Sequence, residues 1–202
     1  MRVSCIRSIG ENDRRGEDSV RTALVGGIGN VLLGDDGVGP FVVRLLESRY
    51  SFDEDVEIAD LGTPALDLTH QIVGLHSLIL VDSVASEKAP GTITLYTKED
   101  ILRIAPAERL DPHSPALSEC LMTAEMLGAS PEHMLLVGIA GSDFEPGSPL
   151  SANVRESVKA AIDAILQEML RLGYSFQEKS AWDVPRIWWG ENPNTASPAS
   201  RG

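Results

Sequence analysis

Residues 23–39 read A-L-V-G-G-I-G-N-V-L-L-G-D-D-G-V-G, and this order decides the fold. An apolar run from Ala23 to Val25 meets glycines at 26, 27 and 29. A second apolar patch, Val31 to Leu33, then leads into the acidic pair Asp35 and Asp36. That is a buried strand, a tight turn and a carboxylate loop. Beyond it, Val38, Phe41, Val42, Leu45 and Leu46 recur at three- and four-residue spacing, which predicts an amphipathic helix from about Gly37 to Arg49 packed on a sheet. The two acids therefore lie past the carboxyl end of the first strand, where ligands bind in open α/β sheets.

A strand, a glycine turn and a helix invite a phosphate-binding reading, and the details oppose it. Gly27-Ile28-Gly29 supplies G-x-G, but Leu32 stands where the third glycine belongs, and the P-loop lysine and hydroxyl are missing. A diphosphate here would also meet two carboxylates that repel it. A metal cation suits the acids better. The plainer alternative is helix capping, and one of the pair is expected to do that; Asp35 is assigned to it, which leaves Asp36 as the candidate ligand.

The 202 residues are 43% hydrophobic and 23% charged, enough for one compact domain. A net charge of −13 argues against partnership with nucleic acid or an anionic membrane. No apolar run approaches the roughly 20 residues needed to cross a bilayer. Residues 1–21 are a charged lead-in without the apolar centre of a secretory signal, so a cytoplasmic location is expected; a monomer is expected as well. Cys5 and Cys120 lie far apart without a C-x-x-C, which supports neither a disulfide framework nor a cysteine zinc site; Cys120 reads as a small buried hydrophobe.

Val56 to Asp60 alternates as a strand, closed by Leu61-Gly62-Thr63-Pro64, and Ala65 to Val73 reads as a helix ending at Gly74. Ser77 to Asp82 is a continuous apolar run of the kind buried on both faces of a sheet, terminated by its carboxylate. Thr92 to Tyr96 alternates strongly, as an edge or antiparallel strand would. A loop from about Ala105 to Pro115 holds His113, a helix follows to Gly128, and Met134 to Ala140 is the last core strand. Val154, Val158, Ile162, Ile165, Met169 and Leu172 form one stripe of a final helix with Gly173 as its stop. The expectation is a three-layer α/β/α sandwich around a mostly parallel sheet of about five strands, spanning residues 22–175. Residues 176–202, with Trp182, Trp188 and Trp189 among prolines, read as a partly disordered tail whose tryptophans patch the core or meet a partner.

If the strands are parallel, Asp36 and Asp82 share one sheet edge, and a loop histidine, His113, can join them. Two carboxylates and an imidazole suit a divalent ion such as nickel or zinc, with positions left open for water or substrate. Each residue also has an ordinary explanation: an Asp at a strand end forms turns, and a loop His is solvated. His70, His76 and His133 are weaker candidates, read as surface or turn residues.

The string G-I-G-N-V-L-L-G-D-D-G-V-G-P from Gly27 to Pro40 resembles the nickel-iron hydrogenase maturation endopeptidases. So do the segment Val56 to Leu68 with Asp60 and Gly62-Thr63, the run Leu80-Val81-Asp82-Ser83-Val84 before Ala89-Pro90-Gly91-Thr92, and the proline-flanked His113 loop. The likeness runs from about Ala23 to Gly173. It implies a five-stranded sheet between helices, and nickel bound by Asp36, Asp82 and His113 as the reactive set, with Asp60, Gly62 and Thr63 as substrate-facing elements. The first-motif acid here is Asp where many relatives carry Glu.

The implied activity is removal of a short C-terminal extension from the precursor of a hydrogenase large subunit once nickel is installed. The precursor would be the partner, its nickel the recognised ion, and no nucleotide would be needed. A metal-polarised water is then the candidate nucleophile. No G-x-S-x-G or H-E-x-x-H offers a rival. Two other readings share the scaffold: a non-proteolytic nickel-binding maturation chaperone, and an α/β/α peptidase acting on another substrate.

Overall fold

The computed structural model describes residues 23–64, 67–103 and 114–182, with side chains left out at 114–116. The lead-in 1–21, His113 and most of the Trp/Pro tail lie outside the described residues.

The central strands are the apolar runs. β1 (Ala23–Ile28) and β4 (Ser77–Val84) are buried along their whole length, and β6 (His133–Ala140) along all but its first residue. Strands this apolar on both sides need a layer of helices on each face. β3 (Val56–Gly62) and β5 (Ile93–Thr97) complete a five-stranded sheet in the order β3-β1-β4-β6-β5. Four strands are parallel; β5 runs antiparallel to β6 at the edge, as its alternation led one to expect.

Alternation along the strands sorts the core into two halves. Val25, Ile79, Val81, Val137 and Ile139 pack with α1 (Val38–Arg49) and α5 (Ala152–Leu172) on one face. Leu24, Leu78, Leu80 and Leu136 pack with α2 (Leu68–Ile72), α3 (Lys98–Arg103) and α4 (Ser114–Met126) on the other. The expected stripe of α5 is buried at all six positions. Its stop is Gly173, in the left-handed region at φ 87°, where the N–H groups of Gly173 and Tyr174 close on the carbonyls of Leu170 and Met169. Cys120 is fully buried on α4.

The chain leaves β1 through α1 to reach β3 on one side, then returns through α2 to β4 on the other side of β1. Because α1 and α2 cover opposite faces, the strand order reverses between β1 and β4, and the carboxyl ends of these two strands are the topological place for a crevice. Such a reversal of strand order is where open α/β sheets place their ligands.

Three features depart from the sequence reading. Asp82 does not end its strand: β4 continues through Ser83 and Val84, which pair with Ile139 and Ala140 of β6. α3 occupies a stretch to which the sequence reading assigns no element. It starts at a reciprocal cap in which the backbone N–H and hydroxyl of Thr97 donate to Asp100 Oδ2 at 2.9 and 2.8 Å. Those bonds, the backbone one foremost, hold the exposed Asp100 carboxyl below its ordinary range. Finally, β2 (Tyr50–Phe52) pairs antiparallel with β7 (Phe176–Glu178), so ordered pairing extends past the boundary drawn at residue 175. Tyr50 and Phe176 meet edge-on with ring centroids 5.6 Å apart, and Arg49 stacks over Trp182 at 5.0 Å.

Candidate active site

Asp36 sits on a 3-10 turn (Gly34–Gly37) between β1 and α1. Glycine makes this approach possible. Gly29 has φ 137°, and a Cβ there would stand 1.8 Å from the Asp36 carbonyl oxygen. At Gly39 a Cβ would meet the carbonyls of Ile28 and Val81 at 2.1 and 2.5 Å, so the start of α1 presses directly on the ends of β1 and β4. The glycines therefore bring backbone against backbone and the acid to the crevice; they do not cradle a phosphate.

The Asp36 side chain is 5% exposed. Its Oδ2 accepts from the Asn30 N–H at 2.8 Å and its Oδ1 from the Ser83 hydroxyl at 3.2 Å. Ser83 is the chain neighbour of Asp82, so the first-motif acid is tied to the strand that carries the second. Asp82 stands one residue beyond the last β1–β4 pair, Gly27↔Val81, and is 2% exposed. By alternation it shares the face of Leu78 and Leu80, on which α2 and α4 pack. The two carboxylates thus lie at the same edge of the sheet, Asp36 on the turn after β1 and Asp82 in the neighbouring strand β4, at the switch point. His113 lies outside the described residues. Its sequence neighbour Ser114 opens α4, whose far end leads into the start of β6.

Asp60 and Gly62 occupy the carboxyl end of β3, beside β1. Asp60 Oδ2 accepts from Arg44 on α1 at 3.2 Å, and Oδ1 accepts from the Gly62 N–H at 3.1 Å. The Gly62 carbonyl accepts from the Gly29 N–H at 2.7 Å, and the pairing register slips between Gly27 and Ile28. This bulge fixes the turn that leads to Asp36. Thr63, next along, is exposed.

Asp35 does not cap α1. The cap position of α1 is Gly37, two residues later, and it carries no side-chain capping bond. Asp35 is instead fully buried and turned toward the connection between β6 and α5. Its Oδ2 accepts from the backbone N–H groups of Ser142 and Asp143 at 2.8 and 3.0 Å and from the Ser142 hydroxyl at 3.2 Å. Its Oδ1 accepts from the Ser151 N–H at 2.6 Å. The 3-10 turn rotates this side chain away from α1, and the acid serves the amino end of α5, where negative charge is favoured. The connection it holds pairs with the acidic loop: Leu33 bridges Pro146, and the Gly147 N–H donates to Leu32 O at 2.8 Å. Spacing could not find this contact between residues so far apart; the polar run Gly141-Ser142-Asp143 after a buried strand was its only trace.

Comparison with known proteins bears on this geometry. A family model described as hydrogenase maturation protease matches residues 40–168. The hydrogenase expression/formation protein HupD of Bradyrhizobium diazoefficiens is 31% identical over 159 residues, covering 78% of this chain and 83% of that protein. The hydrogenase 2 maturation protease of Escherichia coli is 31% identical over 151 residues, covering 74% and 92%. The solved structure of the hydrogenase maturating endopeptidase HybD from E. coli superposes with a TM-score of 0.74 at 29% identity, over 79% of this chain and 98% of that one. With its mostly parallel five-stranded sheet, its acids at the switch point and these likenesses over most of its length, the chain belongs to the hydrogenase maturation proteases, a family of endopeptidases.

Proposed function

We propose that this enzyme removes the C-terminal extension of a nickel-loaded hydrogenase large-subunit precursor, and that Asp36, Asp82 and His113 engage the nickel the precursor presents. The observation that carries this reading is the pair of buried carboxylates at the switch point, Asp36 on the turn after β1 and Asp82 in β4, the first held to the second's strand through Ser83. Two anions withdrawn from water at one edge favour a divalent cation, and an oxygen-rich set completed by one imidazole suits nickel. In this account the nickel belongs to the substrate. Its capture by the three side chains fixes the scissile peptide against the carboxyl edge of the sheet, converting a loose encounter into an oriented one. A water polarised by the metal is the nucleophile. Asp60, Gly62 and Thr63, beside the same crevice, orient the substrate chain.

The net charge of −13 and the absence, among the described residues, of a helix long and apolar enough to cross a membrane fit a cytoplasmic monomer whose partner is the precursor rather than nucleic acid or lipid. The test is processing of the precursor, read by mass, with Asp36→Asn, Asp82→Asn and His113→Ala. Each is expected to lose cleavage while keeping its circular dichroism and melting temperature. Normal cleavage by any one of the three removes that residue from the centre. Nickel capture by the wild type without cleavage would make the protein a chaperone.

A further inference from the structure

At the opposite edge of the sheet, where β4 and β6 begin, three ligand-type side chains meet. His76 immediately precedes β4, Glu132 immediately precedes β6, and His133 is its first residue. One ligand atom from each lies within 4.8 Å of the others. His76 Nε2 is 3.4 Å from Glu132 Oε2, and His133 Nε2 is 3.7 Å from Glu132 Oε1. Around a tetrahedral ion with bonds of about 2.1 Å, neighbouring ligand atoms stand about 3.4 Å apart; the two spacings here run to different oxygens of Glu132, and a turn of that exposed carboxylate brings one oxygen between the two rings.

The cluster is also supported from behind. His76 Nδ1 lies 2.9 Å from Ser77 Oγ and 3.2 Å from Tyr174 Oη, while the Tyr174 hydroxyl donates to Ser77 Oγ at 3.0 Å. When Nδ1–H donates into this pair, Nε2 keeps its lone pair on the side of Glu132. Histidine ligands are oriented in this way by a partner on the other ring nitrogen. The backbone is fixed as well: the His133 N–H donates to His76 O at 3.1 Å and the Gly74 N–H to Ala129 O at 2.8 Å. The two rings meet edge-on with centroids 5.1 Å apart, and the Nε2 of each lies near one oxygen of the same carboxylate. His76 is largely covered, while Glu132 remains open to solvent, giving an ion a way in.

We infer that His76, Glu132 and His133 form a second metal site, separate from the carboxyl-edge centre. It would take a borderline divalent ion such as Zn(II), with a fourth position for water. Two imidazoles and one carboxylate are a zinc-type donor set, and the negative charge of the chain raises the local cation concentration. Bound there, the ion joins the starts of two central strands and, through Tyr174, the end of α5.

The test uses the untagged full chain carrying Asp36→Asn and Asp82→Asn, so that the carboxyl-edge acids contribute no site. Equilibrium dialysis against Zn(II) should retain one ion per chain, and Co(II) should give visible bands of tetrahedral intensity. Zinc at about 100-fold its dissociation constant should raise the melting temperature by about 5–10 °C. Adding Glu132→Gln or His133→Gln should abolish retention and the thermal shift. Tyr174→Phe, which keeps the packing but loosens the His76 ring, should weaken binding about tenfold or more. Retention of no zinc by the starting chain, or unchanged binding after Glu132→Gln and His133→Gln in chains of normal circular dichroism, would overturn the site and leave two histidine–carboxylate contacts in its place.

Discussion

Asp35 Oδ1 accepts a 2.6 Å hydrogen bond from the Ser151 N–H, joining positions 116 residues apart. With the three bonds to Oδ2, one buried carboxylate fastens the loop before α5 to the turn that carries Asp36. Asparagine has one acceptor oxygen. Whichever way it is turned, its amide NH2 faces at least one backbone donor. Asp35→Asn is therefore expected to cost about 1.5–3 kcal/mol, as losing a charged buried hydrogen bond does. The melting temperature should fall by about 3–10 °C and cleavage should fall with it. This reverses what capping of α1 by Asp35 would give, since Asn caps comparably to Asp. A wild-type melting curve for Asp35→Asn would show that the clamp contributes little.

Ser83 acts through Asp36, as a positioning residue. Ser83→Ala removes the 3.2 Å donor to Asp36 Oδ1 and leaves the carboxylate freer to turn from the crevice. Stability should drop by about 1 kcal/mol, while kcat/KM for the precursor should fall by about tenfold. A kcat/KM equal to wild type, measured where the variant is still fully folded, would make Ser83 a fold residue alone.

Gly29 and Gly128 separate close approach from backbone strain. Both have positive φ, but a Cβ at Gly29 collides with the Asp36 backbone, whereas among the described residues no neighbouring atom lies within 4 Å of one at Gly128. Gly128→Ala should cost about 1–2 kcal/mol with cleavage retained. Gly29→Ala should displace the Asp36 turn and abolish cleavage. Comparable behaviour of the two variants in both assays would contradict the packing described here.

Truncation after Trp182 should leave the melting temperature within a few degrees of wild type, because β7 and the Arg49–Trp182 stack are kept. Truncation after Tyr174 removes Phe176 from its contacts with Tyr50 and Phe52 and should cost more. If truncation after Tyr174 were as harmless as truncation after Trp182, the β2–β7 ribbon would have no structural part.

What the sequence disclosed and what it hid divide along physical lines. Ala23–Ile28, Ser77–Val84, His133–Ala140 and the α5 stripe are long periodic or apolar segments whose burial follows from composition alone. β2 and β7 have three residues each, too few for any period to show, and exist through pairing with one another. α3 was legible in Thr97-x-x-Asp100, a cap that hydrophobic periodicity does not detect. Asp36 and Asp82 could be placed on one edge because parallel strands share their carboxyl ends. The work of Asp35 and the meeting of His76 with His133 depend on contacts between distant segments, which no local pattern encodes.

The central claim is that the enzyme reads nickel in its substrate, and the most direct measurement is the mass of the large-subunit precursor after incubation with the wild-type protein, with and without nickel in the precursor. The account predicts loss of the C-terminal extension from the nickel-loaded precursor and an unchanged mass for the nickel-free one. Equal cleavage of both would contradict it.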